Sequence, residues 1–154
     1  MRAGLWKNSH LSLIIGHLFS EGDRKMGTRG FEELRVYQLA EQLADQIWNM
    51  VQSWPNLARD TVGKQIIRAA DSIGANIAEG SGRGTYQDNR RFVRIARGSL
   101  YETRHWLRRA YRRKLLPPDQ ISAMKAMIDE LGPKLNAYLR SIGTSNDKGP
   151  MTND

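Results

Sequence analysis

The spacing of apolar residues between Phe31 and Ile142 constrains the fold more than any other feature. They recur every three to four positions and show no period-two alternation, which favours amphipathic helices and argues against strands. The first helical segment covers residues 31–54 and ends at Trp54-Pro55, because proline cannot continue a helix; the second closes at Glu79.

A third and a fourth helix are predicted further along the chain. Thr85, with Asp88 three positions later, resembles a capping box and predicts the start of a helix that runs to about Lys114. The fourth helix follows Pro117-Pro118 and contains Gly132-Pro133, which is expected to bend or break it. Four amphipathic helices with short connections predict an all-α chain folded as an antiparallel up-down four-helix bundle.

A glycine-rich stretch, Gly80-Ser81-Gly82-Arg83-Gly84, follows the second helix. A phosphate-binding loop requires glycines between a strand and a helix, usually with a Lys-Ser/Thr pair, and neither condition is met here. Gly80 instead lies one position past the predicted helix end, where a left-handed residue often caps, and Gly82 and Gly84 let the chain reverse. The stretch is therefore interpreted as a connection between two helices.

Two polar residues near this connection are assigned structural roles. Asn76 falls on the apolar side of the second helix, so we expect its amide to find partners among backbone groups of the following turn. Glu79 lies near Arg83 and is better explained by an ion pair than by general-base catalysis. The predicted structural set is Asn76, Glu79, Gly80, Gly82, Arg83 and Gly84.

Three stretches carry a family resemblance: FEELRVYQLA (Phe31–Ala40), IIRAADSIGANIAEGSGRGT (Ile66–Thr85) and RFVRIARGSLYETRHWL (Arg91–Leu107). They resemble the four-helix-bundle proteins encoded in intervening sequences of bacterial large-subunit ribosomal RNA genes. That family, often described as ribosomal-protein-like, includes the accessory variability determinant of diversity-generating retroelements. The resemblance implies a bundle that assembles as a ring, typically a homopentamer, and it does not imply an enzyme. The retroelement members bind nucleic acid and a reverse transcriptase. The first thirty residues and Gly132-Pro133 depart from the family pattern.

The net charge of +8 is concentrated in one segment. Residues 83–114 carry eleven Lys and Arg against only Asp88 and Glu102, which gives +9. The first helix is instead acidic, with one Arg against Glu32, Glu33, Glu41 and Asp45. A basic balance of this kind favours acidic partners, nucleic acid above all.

A helical wheel of the third segment separates an apolar side from a basic side. The apolar side comprises Phe92, Val93, Ala96, Ser99, Leu100, Thr103, Trp106, Leu107, Ala110 and Tyr111. The opposite side, which we predict to bind nucleic acid, comprises Arg90, Arg94, Arg97, Tyr101, Arg104, His105, Arg108, Arg112 and Lys114. Arginine forks suit phosphate groups, and a tyrosine ring can stack on unpaired bases.

Two other interpretations of the basic side stay open. It could simply keep the chain in solution, or it could be neutralised in an assembly by Glu32, Glu33, Glu41 and Asp45 of a neighbouring subunit. The corresponding functions are a ring that binds the backbone of RNA or DNA, a scaffold whose arginines form intersubunit salt bridges, and an accessory subunit to a reverse transcriptase. Sequence-specific DNA reading is disfavoured because no groove-entering module is present, so salt-dependent backbone binding is expected.

The residue types needed for common catalytic chemistry are sparse. The chain contains no cysteine, which excludes disulfides, thiolate zinc sites and a cysteine nucleophile. Its three histidines, His10, His17 and His105, form no group with metal-ligand spacing, and Ser81 and Ser99 have no neighbouring base. We therefore predict no catalytic residue, no metal and no cofactor.

Both ends of the chain lack the helical pattern. Residues 1–30 include the apolar run Leu11–Phe19, which is too short to span a bilayer and is followed by no small-x-small cleavage site. Translation starting at Met26 is one interpretation, and a genuine but poorly ordered extension is the other. The polar residues 143–154 predict a disordered tail. Residues 31–142 are then the bundle domain of a cytoplasmic protein without membrane association.

Overall fold

The computed structural model describes residues 30–143 of the chain. A 3-10 turn, Phe31–Glu33, precedes four long helices: α1 (Arg35–Gln52), α2 (Lys64–Ser81), α3 (Tyr86–Arg112) and α4 (Pro118–Ser141). A helical turn, Asn56–Ala58, and a π turn, Arg59–Gly63, run directly into α2. Residues 30–143 contain no strand. Apart from Gly30 and Gly143, the predicted N-terminal extension with Met26 and the predicted tail lie outside the described residues.

The four helices pack as a bundle, as the sequence predicts. Each helix contacts the helices before and after it in the chain, and α1 also contacts α4. Within residues 30–143, no Cα atoms of the diagonal pairs, α1 with α3 and α2 with α4, lie within 8 Å of each other. Because only four residues join α2 to α3 and five join α3 to α4, these consecutive helices run antiparallel. None of the described helices has the length and apolarity needed to cross a bilayer.

The core is formed by the apolar stripe of each helix. Its largest fully buried side chains come from all four helices: Leu43, Ile47 and Val51 of α1, Ile66, Ile73 and Ile77 of α2, Val93 and Thr103 of α3, and Leu131 and Leu135 of α4. Thr103 is a polar member of this set, and its hydroxyl donates to the carbonyl of Ser99 at 2.8 Å. That bond satisfies a hydroxyl that burial would otherwise penalise. The core therefore fixes the rotation of every helix about its own axis.

Pro133 does not break α4, which corrects one half of the prediction that Gly132-Pro133 would bend or break this helix. The helix is continuous from Pro118 to Ser141 with Pro133 inside it. A proline removes one backbone hydrogen bond and crowds the preceding turn. The neighbouring Leu131 and Leu135 are both fully buried, and their packing against the other helices holds α4 together across the proline.

The connection between α2 and α3 corrects a second expectation. α2 continues to Ser81, so Gly80 lies inside the helix and does not cap it in a left-handed conformation. The capping position is occupied by Gly82, whose φ is −79°. Gly80 is needed for close packing instead: a Cβ there would lie 2.8 Å from Asn89 Oδ1 and 2.9 Å from Phe92 Cβ, both on α3.

Asn76 also differs from its predicted role. It is half-buried on α2, and its Nδ2 donates to the carbonyl of Ser72 at 2.6 Å. The partner therefore lies in the preceding turn of the same helix, where a side chain four residues on reaches back to a carbonyl. The following turn was predicted to provide it.

The N-terminus of α3 is formed as predicted. The backbone amide of Asp88 donates to Thr85 Oγ1 at 3.1 Å, and the Thr85 hydroxyl donates to Asp88 Oδ2 at 2.9 Å. Thr85 thus satisfies a backbone amide that the first helical turn leaves free. At the other end, Lys114 adopts a φ of 58°, which the helix cannot continue through.

Candidate nucleic-acid interface

The buried side of α3 determines which of its residues face solvent. Seven residues of the helix are buried: Val93, Ala96, Ser99, Leu100, Thr103, Leu107 and Ala110. All seven belong to the predicted apolar side. Tyr111 was assigned to that side as well but is 58% exposed, because it lies at the edge of the stripe, in the last turn of the helix.

Six residues of the predicted binding set are exposed on the opposite side of α3, and Lys114 is exposed just after the helix ends. We call these seven the basic face: Arg94, Tyr101, Arg104, His105, Arg108, Arg112 and Lys114. Tyr101 is 57% exposed. The guanidinium carbon of Arg104 lies 5.9 Å from the centroid of the Tyr101 ring. His105 contacts Trp106 edge to face at 5.0 Å. The basic face thus combines unburied cations with one exposed aromatic ring.

Arg90 and Arg97 differ from the rest of the predicted set. Both are half-buried and reach across to the last helix and its end. Arg90 Nη2 donates to the carbonyl of Ile142 at 2.5 Å, and Arg97 Nη1 donates to Asn136 Oδ1 at 3.4 Å. These two arginines brace α4 against α3, so they offer fewer free donors to a ligand than the basic face does.

The charge of the basic face is not neutralised within residues 30–143. The ion pairs within residues 30–143 involve no residue of the basic face. They join Arg35 with Glu130, Lys64 with Asp60, Arg83 with Glu79, and Lys125 with Asp129. The two acids of α3 are also occupied elsewhere, since Glu102 accepts from Trp106 and Asp88 takes part in the helix cap. A single-signed surface of this kind attracts polyanions.

Sequence reasoning missed four cations that border the basic face. Arg91, Arg109 and Arg113 are exposed on or just after α3, and Lys125 is exposed on α4. The three arginines could have been found by widening the chosen sector of the helical wheel. Lys125 could not, because only the packing of α4 on α3 brings it near Arg104 and Arg108.

The residues predicted to be structural do not join the basic face. Arg83 pairs with Glu79 one turn earlier, and its guanidinium carbon lies 4.9 Å from the centroid of the Phe92 ring. Arg83 therefore links the end of α2 to the start of α3. Gly82 and Gly84 lie in the exposed connection, and an added Cβ at Gly84 would meet nothing within 4 Å.

A groove with acidic side chains lies between α1 and α2. Small residues, among them Ala40, Ala44 and Gly74, form part of it. Partial burial, followed by the hydrogen bond that its hydroxyl donates to Glu41 at 2.8 Å, raises the pKa of Tyr37 to about 12. Partial burial also raises the pKa of Asp71, with a contribution from the nearby charge of Asp45. Like-charged acids therefore crowd together on this side of the bundle.

Residues 30–143 contain no cluster of three or more His, Asp or Glu side chains that could hold a metal ion. His105 is the histidine of this part of the chain, and it is exposed on α3. What the described surface offers is a set of charged and aromatic groups suited to binding.

Comparison with known proteins agrees with the fold. Residues 32–137 match the family described as 23S rRNA-intervening sequence protein. A solved structure, a protein of unknown function from the S23 ribosomal protein family of Bacteroides thetaiotaomicron VPI-5482, is similar with a TM-score of 0.64 and 25% sequence identity. The similarity covers 69% of this chain and 96% of that one. No curated protein matches significantly.

Proposed function

We propose that this chain, which belongs to the 23S rRNA-intervening sequence protein family, binds the sugar-phosphate backbone of RNA or DNA through its basic face. The observation that carries the proposal is the set of exposed arginines on α3 with no acidic partner within residues 30–143. No enzymatic activity is proposed.

Three properties of the basic face favour a polyanion. Its arginines are spread over several turns of one helix, so a strand with regularly spaced phosphates can contact more than one of them. The guanidinium fork donates two hydrogen bonds to one phosphate. Like charges along a helix destabilise it by a few tenths of a kcal/mol per pair, and a bound polyanion would remove that repulsion.

The first test is a binding titration of the full chain with a structured RNA at two salt concentrations. We expect affinity to fall steeply between about 50 and 200 mM salt, because bound phosphates release counterions. The double substitution Arg94→Glu with Arg112→Glu is expected to weaken binding at least about tenfold, since both residues are exposed and neither has an acidic partner within residues 30–143.

A matched control separates the basic face from net charge. Arg68→Glu with Lys134→Glu changes the net charge by the same amount, and both residues are exposed on helices other than α3. This control is expected to keep most of the affinity. Equal loss in the two double variants would show that total charge alone attracts the RNA, and the proposed site would then be wrong.

A scaffold is the second candidate function, and the acidic groove favours it. Glu41, Asp45 and Asp71 lie among small residues on the side formed by α1 and α2, where the basic helix of a second copy could approach closely. In such a homo-oligomer the arginines of α3 would pair with these acids. Light scattering on the same variants distinguishes the two functions. Arg94→Glu with Arg112→Glu should leave the particle mass unchanged if the basic face binds nucleic acid, and should reduce it if the face holds subunits together.

A further inference from the structure

A groove with an apolar floor lies between the C-terminal half of α3 and the N-terminal half of α4. Its volume is about 600 Å³, within the range of sites that hold small organic groups. The floor is formed by Leu107, Leu116, Ile121, Met124 and Ile128. These side chains come from both helices and from the connection between them, so the groove is a product of the tertiary packing.

The rim of this groove is cationic. Arg104 and Arg108, one helical turn apart, line it and also belong to the basic face. Lys125 lines the α4 side and pairs with Asp129, the acid of the rim. Because Asp129 is already neutralised, the two arginines give the rim a net positive charge directly beside an apolar surface.

Tyr111 adds an aromatic ring to the edge of the groove. It lines the cavity and is 58% exposed, so its ring is available to a ligand. Tyr101 and Arg104 lie further back along the same helix, with the guanidinium near the ring. Rings of this kind stack on bases without regard to sequence.

An unpaired nucleotide matches this combination of groups. Its base presents a flat apolar surface that can lie on the apolar floor. Its phosphate lies a short distance from the base, as the two arginines lie beside the floor. A base within a duplex is already stacked and paired, and it cannot enter a groove without being extracted from the helix at a cost. Single strands offer such bases freely.

We propose that the groove between α3 and α4 takes an unpaired base of a nucleic-acid strand whose phosphates contact Arg104 and Arg108. The consequence is a preference for single strands over duplexes. This inference rests on the proposed function and deepens it, because the basic face alone would bind both forms through their phosphates.

The test compares a single-stranded oligonucleotide of about 16 nucleotides with its own duplex, at one salt concentration. The wild-type chain is expected to bind the single strand about tenfold more tightly, the gain from stacking one base. A 2-aminopurine placed in the single strand should change its emission on binding, and in the duplex it should not.

Two variants address the groove without touching the arginines. Tyr111→Ala removes the exposed ring, and Ile128→Gln replaces an apolar side chain of the floor by a polar amide at a half-buried position. Each should reduce the preference for single strands to less than about twofold while leaving duplex affinity unchanged. Trp48→Ala, which removes a 54% exposed ring from α1, is the matched control and should keep the full preference.

The outcomes separate this inference from the proposed function. Binding of neither nucleic acid would overturn both. Equal binding of single strand and duplex by the wild-type chain, or a preference that survives both groove variants, would overturn the inference and leave the basic face as a phosphate site. If an acidic amphipathic peptide binds instead, and Ile128→Gln blocks it, the groove is a protein-docking site and the inference is wrong.

Discussion

Gly80 is a residue at which α2 and α3 approach each other closely. The sequence alone predicts that Gly80 caps the C-terminus of the helix, since glycine is common at that position. In the structure it is buried, and the space that a side chain would need is taken by Asn89 and Phe92 of α3. A local rule cannot detect this requirement, because it depends on the other helix.

We expect Gly80→Ala to destabilise the chain by about 1–3 kcal/mol, the usual effect of overpacking a rigid contact. Alanine has the better helix propensity, which alone would stabilise α2 by up to about 1 kcal/mol. The added Cβ would, however, also lie 3.2 Å from the backbone oxygen of Asn89, so the helices must separate. Urea-induced unfolding measures the change.

The control for this substitution is Gly98→Ala on α3. Gly98 is exposed within the helix, and an added Cβ meets nothing within 4 Å. It should stabilise the chain by about 0.5–1 kcal/mol through propensity alone. If Gly80→Ala increased the stability by the same amount, the result would contradict the close approach of α2 and α3 at this residue.

Among whole elements, α4 tolerates a proline that the sequence predicts to bend or break it. Pro133→Ala restores a backbone amide that can donate to the carbonyl of Asp129 four residues earlier. Because α4 is already continuous at this point, we expect a gain of about 1–3 kcal/mol in the free energy of unfolding, measured by chemical denaturation.

Pro118→Ala provides the comparison within the same helix. Pro118 is the first residue of α4, where proline is well suited and no backbone hydrogen bond is lost. This substitution should leave stability unchanged or lower it slightly. If Pro133→Ala raises the free energy of unfolding no more than Pro118→Ala does, then α4 depends on a bend at Pro133 for its packing.

At the scale of elements, the sequence predicts much of the fold and less of the candidate site. The spacing of apolar residues identified four helices and the buried side of α3, because burial of one face dictates that spacing. That spacing did not show that Arg97 contacts a residue of α4 or that Arg90 contacts the residue directly after it. Nor could it show the groove beside Tyr111, which exists only once α4 lies against α3.

At the scale of the whole bundle, residues 30–143 carry charges of opposite sign on two sides. Acids crowd together between α1 and α2, and the basic face lies on α3 where it borders α4. Repulsion is therefore present on each side separately. On the basic side, Arg108 lies four residues from both Arg104 and Arg112, the spacing at which like charges on a helix repel.

Salt should consequently have opposite effects on stability and on binding. Screening weakens the repulsion among exposed charges, so raising salt from about 50 to 500 mM should stabilise the free chain by up to about 1 kcal/mol, while nucleic-acid affinity falls. Arg108→Gln removes two repulsive pairs and should raise the melting temperature at low salt and reduce its salt dependence. A chain that instead loses stability as salt increases would have its arginines in attractive pairs. Since no acid within residues 30–143 pairs with the basic face, those partners would lie elsewhere in the chain or in a second copy. A lower particle mass of Arg94→Glu with Arg112→Glu in light scattering would then identify the second copy and favour the scaffold.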